Sequence, residues 1–455
     1  MRKRAPLVVL LGIATALVLM APGYASKQAD KRSPAVVQQA GMMKAAAKGG
    51  KGKSKKPQTM QRCVRGTAGP YACKNIDMLS QVSMAELGLS FVNDTWGWID
   101  PQTKREYALV GGIEGTVFVD ITDKKRPKVL GILPAHTLDP QFPWWRDIKV
   151  YANHAYVVSE QDGHGMQVFD LTQLRNDPAG YTIYSESAHY DEISWSHNLA
   201  INEDTGFAYP IGSGTCAGGL HMVDITTPDN PTFAGCFDEH GYIHDTQCVV
   251  YNGPDSDWTG REICFNSNAE VHHNPPPGSD PITNALSIVD VTDKANPVVI
   301  SRTEYDGDGY SHQGWLTPNQ AYFLHGDELD ELEHGNNTIT RVWDVRDLDA
   351  PVMTLAWENP KTAAIDHNMY TKGKYVYQSN YSAGLRVLDI SRVSAPALRE
   401  VAFFDVSPED DLPHFDRGTW SNYPYWKNKH IVTVSSMDRG LFVLKTRALG
   451  SKGKK

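Results

Sequence analysis

Long apolar runs are nearly absent from this 455-residue chain, and so are the common catalytic fingerprints. Only residues 7–20 approach an uninterrupted apolar stretch, and that is short for a membrane span, so no transmembrane segment is expected in the mature chain. There is no nucleophile elbow, no Gly-rich dinucleotide loop after a strand and no paired-histidine zinc-protease helix motif. Cysteine is scarce, at six residues, and none stands beside a candidate base in sequence, which argues against a thiol nucleophile. A net positive charge is confined to the ends of the chain. Of the total of −9, the flanking segments 1–25, 26–62 and 445–455 carry +3, +9 and +5, which leaves −26 on residues 63–444. A body that acidic repels phosphate backbones, so no nucleic-acid partner is expected; it favours cations, although solubility alone accounts for such a charge.

What is present in quantity is repetition. One short line recurs seven times: GTVFVDIT (115–122), HGMQVFDLT (164–172), GLHMVDITT (219–227), LSIVDVTD (286–293), TRVWDVRD (340–347), GLRVLDIS (384–391) and GLFVLK (440–445). The aspartates of the first six, Asp120, Asp170, Asp224, Asp290, Asp344 and Asp389, return at intervals of 50, 54, 66, 54 and 45 residues. A period near fifty is that of a propeller blade or a solenoid coil. Each copy holds four strand-like pieces separated by Gly, Pro, Asn and Asp, which favours the blade. The outermost piece usually follows an x-Pro step, as in RPKVLGIL (126–133) and NPVVISRT (296–303), and proline suits the start of an edge strand. The seventh copy lacks an outermost piece, while NIDMLSQVSM (75–84) is such a strand without a blade. The expected fold is therefore all-β: a seven-bladed propeller of four-stranded blades, spanning 63–445, with the N-terminal strand closing the last blade. An open solenoid is the rival.

The ends read as export and tethering. Residues 1–25 combine a basic start, an apolar stretch and the small-residue site GYA (23–25), as in a cleaved secretory signal peptide. Residues 26–62, rich in Ala, Gly and Lys, have too little apolar content to fold and are expected to form a basic disordered linker, and 446–455 a basic flexible tail that could touch anionic surfaces. The protein is thus expected to be secreted or periplasmic, and a monomer. In an oxidising compartment its cysteines should form disulfides. Hairpin geometry suggests Cys63 with Cys73, Cys216 with Cys236, and Cys248 with Cys264.

Every repeat also opens on a polar signature: NDTW (93–96), WRDI (145–148), SHNL (196–199), IHDTQ (243–247), SHQGW (311–315), DHNM (366–369) and WSNY (420–423). Four successive copies place histidine in one slot, each followed by Asn, Asp or Gln. If these pieces are the innermost strands, Asp94, Arg146, Asp147, His197, Asn198, His244, Asp245, His312, Gln313, His367, Asn368 and Asn422 line one mouth of the central channel. Two readings stand. The pairs can hydrogen-bond neighbouring blades together, or His197, His244, His312 and His367 can bind a divalent transition metal or small ligand, since neutral imidazole is a common ligand for such ions. The acidic stretch HGDELDELEH (325–334) could instead supply calcium with oxygens from Asp327, Glu328, Asp330 and Glu331, or simply be an exposed acidic loop. The loop VHHNPPPGSDP (271–281) reads as a recognition loop or an ornament, and Asn93, Asn336 and Asn380 head glycosylation sequons.

Across 75–444 the lines YALVGGIEGTVFVDIT, WRDIKVYANHAYVVSEQDGHGMQVFDL, HDTQCVVYNGPD, EICFNSN, SHQGWLT, DELDE, YVYQSNYSAGLRVLDI and WSNYP resemble the choice-of-anchor B family, built from LVIVD-type propeller repeats. The resemblance implies an exported repeat body with interchangeable anchoring ends; it carries over no reaction and no catalytic residue. No sorting motif or apolar helix is seen after Leu444, which favours a periplasmic or released form. The leading functional expectation is a binding or scaffold module for a ligand, polysaccharide or protein partner. The alternative is a metal-dependent hydrolase or oxidase using the polar ring.

Overall fold

The computed structural model describes residues 60–447 and 449, except 140–141, 177–179, 270–282 and 396. The signal-peptide reading, the linker up to residue 59, the loop 271–281 and most of the tail lie outside the described residues.

Alternating β-branched and aromatic residues fold each repeat into antiparallel strands that bury both faces against neighbouring blades. The innermost strands are Val92–Ile99, Arg146–Tyr151, Asn198–Asn202, Ile243–Val250, Ser311–Leu316, Met369–Lys372 and Thr419–Tyr423, and each begins a sheet of at least four strands. They neighbour one another in ring order, Thr419–Tyr423 packing against Val92–Ile99, so seven blades close around one channel. The fourth strand of the last blade is Ile76–Val82, antiparallel to Gly440–Thr446 with Ile76 opposite Thr446. Closure by the N-terminal strand is thus as the incomplete seventh repeat predicts, and the open solenoid is excluded.

The recurring aspartate has a local cause. It ends the third strand of each of the first six blades, and its carboxylate accepts the backbone N–H two residues on: Asp120 from Thr122, Asp170 from Thr172, Asp224 from Thr226, Asp290 from Thr292, Asp344 from Arg346 and Asp389 from Ser391, at 2.8–3.1 Å. Such Asx turns release the chain toward the outermost strand.

Two outer additions escape the repeat pattern. The hairpin Thr67–Ala68/Tyr71–Lys74 extends blade 6, with Cys73 opposite Phe404, and Thr182–Ile183 adds a parallel strand outside Lys128–Pro134 of blade 1. Both cover edges that would otherwise be open for pairing. The folded body also exceeds the expected 63–445 boundary: Gln61 pairs with Met78, and Arg447 bonds Asp77 and the Cys63 carbonyl. The disulfides are Cys63–Cys73, Cys216–Cys236 and Cys248–Cys264, the last joining directly opposed residues of the first two strands of blade 4. Asn93 and Asn380 are buried in strands, which closes those two sequons to glycosylation in the folded protein. No helix among the described residues is long and apolar enough to cross a membrane.

Candidate functional site

Because the seven innermost strands run in the same sense, their first residues share one face of the ring. An innermost strand has a sheet partner on one side only, and its other backbone edge must be satisfied from the next blade. The amide and acid members of the polar signature do this. Asp94 accepts the Ile148 N–H at 3.1 Å, Asp147 accepts that of Leu199 at 2.8 Å, Asn198 donates to the His244 carbonyl at 2.9 Å, and Gln247 accepts the Leu316 N–H at 2.8 Å. Gln313 grips Met369 twice, accepting its N–H at 2.9 Å and donating to its carbonyl at 3.1 Å. Asn422 reaches back to the carbonyls of Asn368 and Tyr377 and to Ser379.

Above this tier the histidines form an arc. Ring centroids are 4.3 Å apart for His197–His244, 4.1 Å for His244–His312 and 4.3 Å for His312–His367. Trp145 continues it at 6.2 Å beyond His197, and Trp420 at 4.9 Å beyond His367, with Phe91 a further 6.0 Å on. Three of the imidazoles use Nδ1 toward protein: His244 toward the His312 carbonyl at 2.8 Å, His367 toward the Trp420 carbonyl at 2.6 Å, and His197 toward Glu160 at 2.6 Å. A backbone carbonyl can only accept, so His244 and His367 carry their proton on Nδ1, and Nε2 keeps its lone pair. On these two rings the nitrogen that clasps the neighbouring blade and the nitrogen open to a ligand are different atoms.

Electrostatics separate the tiers further. Burial holds His244 and His312 well below the usual imidazole range, assisted by neighbouring histidines, and brings His367 down to about 3. The rings are therefore neutral and able to ligate at physiological pH. In the tier below, Asp94, Asp147 and Asp245 surround Lys149. Burial opposes the Lys149 charge, but these three carboxylates outweigh it and raise its pKa, and both oxygens of Asp147 sit 2.7 Å from the ammonium. One cation cannot serve three anions in a dry site. Burial, reinforced by Asp147, keeps Asp94 well above the carboxylate range, and burial brings Asp245 up to about 7.

Other expected site residues are placed differently. Arg146 donates across to the Gly112 carbonyl of the preceding blade at 3.0 Å and meets His164 Nε2 of its own blade at 2.9 Å, while its Nη2 is buried without a hydrogen-bond partner. The side-chain oxygen of Asn368 is buried without a hydrogen-bond partner. The acidic stretch is no exposed loop: Asp327, Glu328, Asp330 and Glu331 are all buried. The four carboxylates point to different partners. Asp327 accepts from the Tyr305 hydroxyl and the N–H groups of Gly309 and Tyr310, Asp330 pairs with Arg341 at 2.7 Å, Glu328 turns to the histidine arc, and both Glu331 oxygens are buried without a hydrogen-bond partner.

Glu160, Glu328 and Tyr381 at this mouth were not readable as a set. Each is the residue that follows the second strand of its blade, after His154–Ser159, Tyr322–Asp327 and Tyr375–Asn380. Tyr242 and Tyr310 stand two residues before His244 and His312, with ring centroids 6.4 and 5.3 Å from His244. An aromatic at that offset was the signal available.

Comparison with known proteins adds the repeat type. Residues 367–401, from the fourth histidine to the outermost strand of blade 6, match the LVIVD repeat family. The chain carries an LVIVD repeat. Among solved structures, the β-propeller domain of Myceliophteria thermophila Cps50 (Swd1) is similar at 12% identity, with a TM-score of 0.47, covering 78% of this chain and 97% of that one. The fold assignment rests on the seven sheets themselves. Comparison with curated proteins returns no match.

Proposed function

We propose that the protein is an exported β-propeller module of the choice-of-anchor B type, monomeric, that captures a ligand at the histidine mouth of its channel. The observation that carries this is the division of labour on His244 and His367, where Nδ1 is consumed by the next blade and Nε2 is left available. A pure blade lock needs only the first. Trp145 and Trp420 extend the arc with aromatic surface, and Tyr242 and Tyr310, whose buried hydroxyls face each other, set two more rings 6.4 and 5.3 Å from His244. Three disulfides support an oxidising compartment.

The test is a thermal-shift screen of the mature protein against divalent ions, small cations and soluble polysaccharides, repeated on Trp145→Ala and Tyr310→Phe. A ligand present at a hundred times its Kd stabilises the folded state by about 2.7 kcal/mol, which such a screen detects. Loss of that shift in either variant supports the reading; equal shifts in all three proteins put binding elsewhere and sink it. Export is tested by sequencing the N-terminus of the recovered protein. A start at Ser26 is expected, and a full-length cytoplasmic chain with free thiols contradicts it.

A second reading, a metal-dependent hydrolase or oxidase at the same mouth, draws on Glu328, a carboxylate facing two imidazoles where it could take up a proton from an activated water. Turnover lost in Glu328→Gln while ligand binding persists would favour it.

A further inference from the structure

The Glu328 carboxylate stands 3.6 Å from His312 Nε2 through one oxygen and 3.8 Å from His367 Nε2 through the other. These separations exceed hydrogen-bonding range. They are instead close to the spacing of neighbouring donors around a shared ion: with metal bonds of 2.0–2.2 Å, ligand atoms lie about 3.3–3.6 Å apart. Donor atoms of His244, His312 and Glu328 all fall within 4.8 Å of one another. We infer that His244 Nε2, His312 Nε2 and the Glu328 carboxylate form a site for one divalent transition ion of the zinc class, with His367 Nε2 available as a fourth donor. The inference rests on reading the histidine mouth as a binding site, and names its ligand.

Three further features fit. The groups that would orient the ligands are already in place: the His312 carbonyl on His244 Nδ1, the Trp420 carbonyl on His367 Nδ1, and the Tyr381 hydroxyl donating to Glu328 at 2.6 Å. Outer contacts of this kind fix tautomer and ring angle before the ion arrives. His312 is different: its Nδ1 is buried without a hydrogen-bond partner, and packing between the His244 and His367 rings, with centroids at 4.1 and 4.3 Å, sets its orientation. All four side chains are at most 5% exposed. The donor set of two or three imidazoles and one carboxylate selects zinc, cobalt, nickel or copper over calcium and magnesium, which prefer oxygen.

Position separates His197 from the centre. It is not among the residues whose donor atoms gather within 4.8 Å of one another around Glu328, and its own carboxylate neighbour is Glu160 at 2.6 Å, so it belongs to the arc but not to the ion.

The experiment uses the full mature chain, stripped with chelator and titrated with Zn²⁺ by calorimetry, with Co²⁺ titrated in parallel and followed by visible absorption. One ion per chain is expected. His244→Ala and Glu328→Gln should each weaken Zn²⁺ binding at least a hundredfold, whereas His197→Ala should change it less than threefold. Circular dichroism of each variant establishes that it is folded, and in the wild type Co²⁺ should give the intense visible bands of a four- or five-coordinate nitrogen–oxygen site. Failure of the folded wild type to bind Zn²⁺ and Co²⁺ stoichiometrically overturns the inference, as does unchanged affinity in a folded His244→Ala. If another ligand is then lost from Trp145→Ala or Tyr310→Phe, the mouth still binds and only the metal assignment falls; if none is, both fall.

Discussion

Replacing Gln313 with alanine tests the blade-locking role directly. Its carboxamide makes both cross-blade hydrogen bonds to Met369, at 2.9 and 3.1 Å, from a position 1% exposed. Each such bond contributes about 0.5–1.5 kcal/mol net, and each buried backbone group left without a partner costs about 1–3 kcal/mol. With water reaching part of the vacated space, the expected loss is about 3 kcal/mol. An unfolding entropy of about 2.1 cal/mol/K per residue converts that loss to a Tm drop of about 4 °C for a body of this size. Gln247→Ala is the internal standard, since that side chain makes one clasp, to Leu316, and should lose about half as much. Urea unfolding followed by tryptophan fluorescence reads both. The reasoning is refuted if Gln313→Ala costs under 0.5 kcal/mol, or no more than Gln247→Ala.

Two other perturbations probe the charged groups of the channel. His367 is neutral when folded, its pKa brought to about 3 by burial, while in the unfolded chain it takes a proton near pH 6.5. Its contribution is therefore complete above pH 6.5 and is lost as pH falls; between pH 7.5 and 5 the wild type should forfeit about 2 kcal/mol that His367→Asn does not, and parallel stability–pH curves would contradict this. Lys149→Met removes the cation among Asp94, Asp147 and Asp245, also losing a contact 4.7 Å from the Trp96 ring centre; about 3–5 kcal/mol should be lost, with partial recovery on adding Asp147→Asn, and an additive double-mutant cycle would argue against the pairing.

What could be read from the chain and what could not divide along sequence distance. The third-strand line was legible because its aspartate acts two residues away, as in Asp120 with Thr122. The closing strand was legible because a repeat was missing a piece that an orphan segment supplied. The burial of Asp327, Glu328, Asp330 and Glu331 was hidden because partners come from elsewhere in the chain: Arg341, 11 residues on from Asp330, supplies a charge, and the Tyr381 hydroxyl, 53 residues on from Glu328, a hydrogen bond. A local reading sees only charge and assigns it to the surface. The same distance hid Glu160, Glu328 and Tyr381, whose shared place after the second strand is a fact of topology and leaves no common motif. For the histidines, the repeated slot was evident, but that the clasping nitrogen is Nδ1, leaving Nε2 with the lone pair, depends on which carbonyl each ring meets.

That division is the central claim, and the tautomers of His244 and His367 test it most directly. Long-range ¹H–¹⁵N spectra of histidine-labelled, chelator-treated protein at pH 7 distinguish a protonated ring nitrogen from one bearing a lone pair. Both residues should be neutral with the proton on Nδ1, matching the carbonyls of His312 and Trp420 at 2.8 and 2.6 Å. Protonation at Nε2, or a charged imidazolium, would mean that the open nitrogen is not free to bind and would contradict the account.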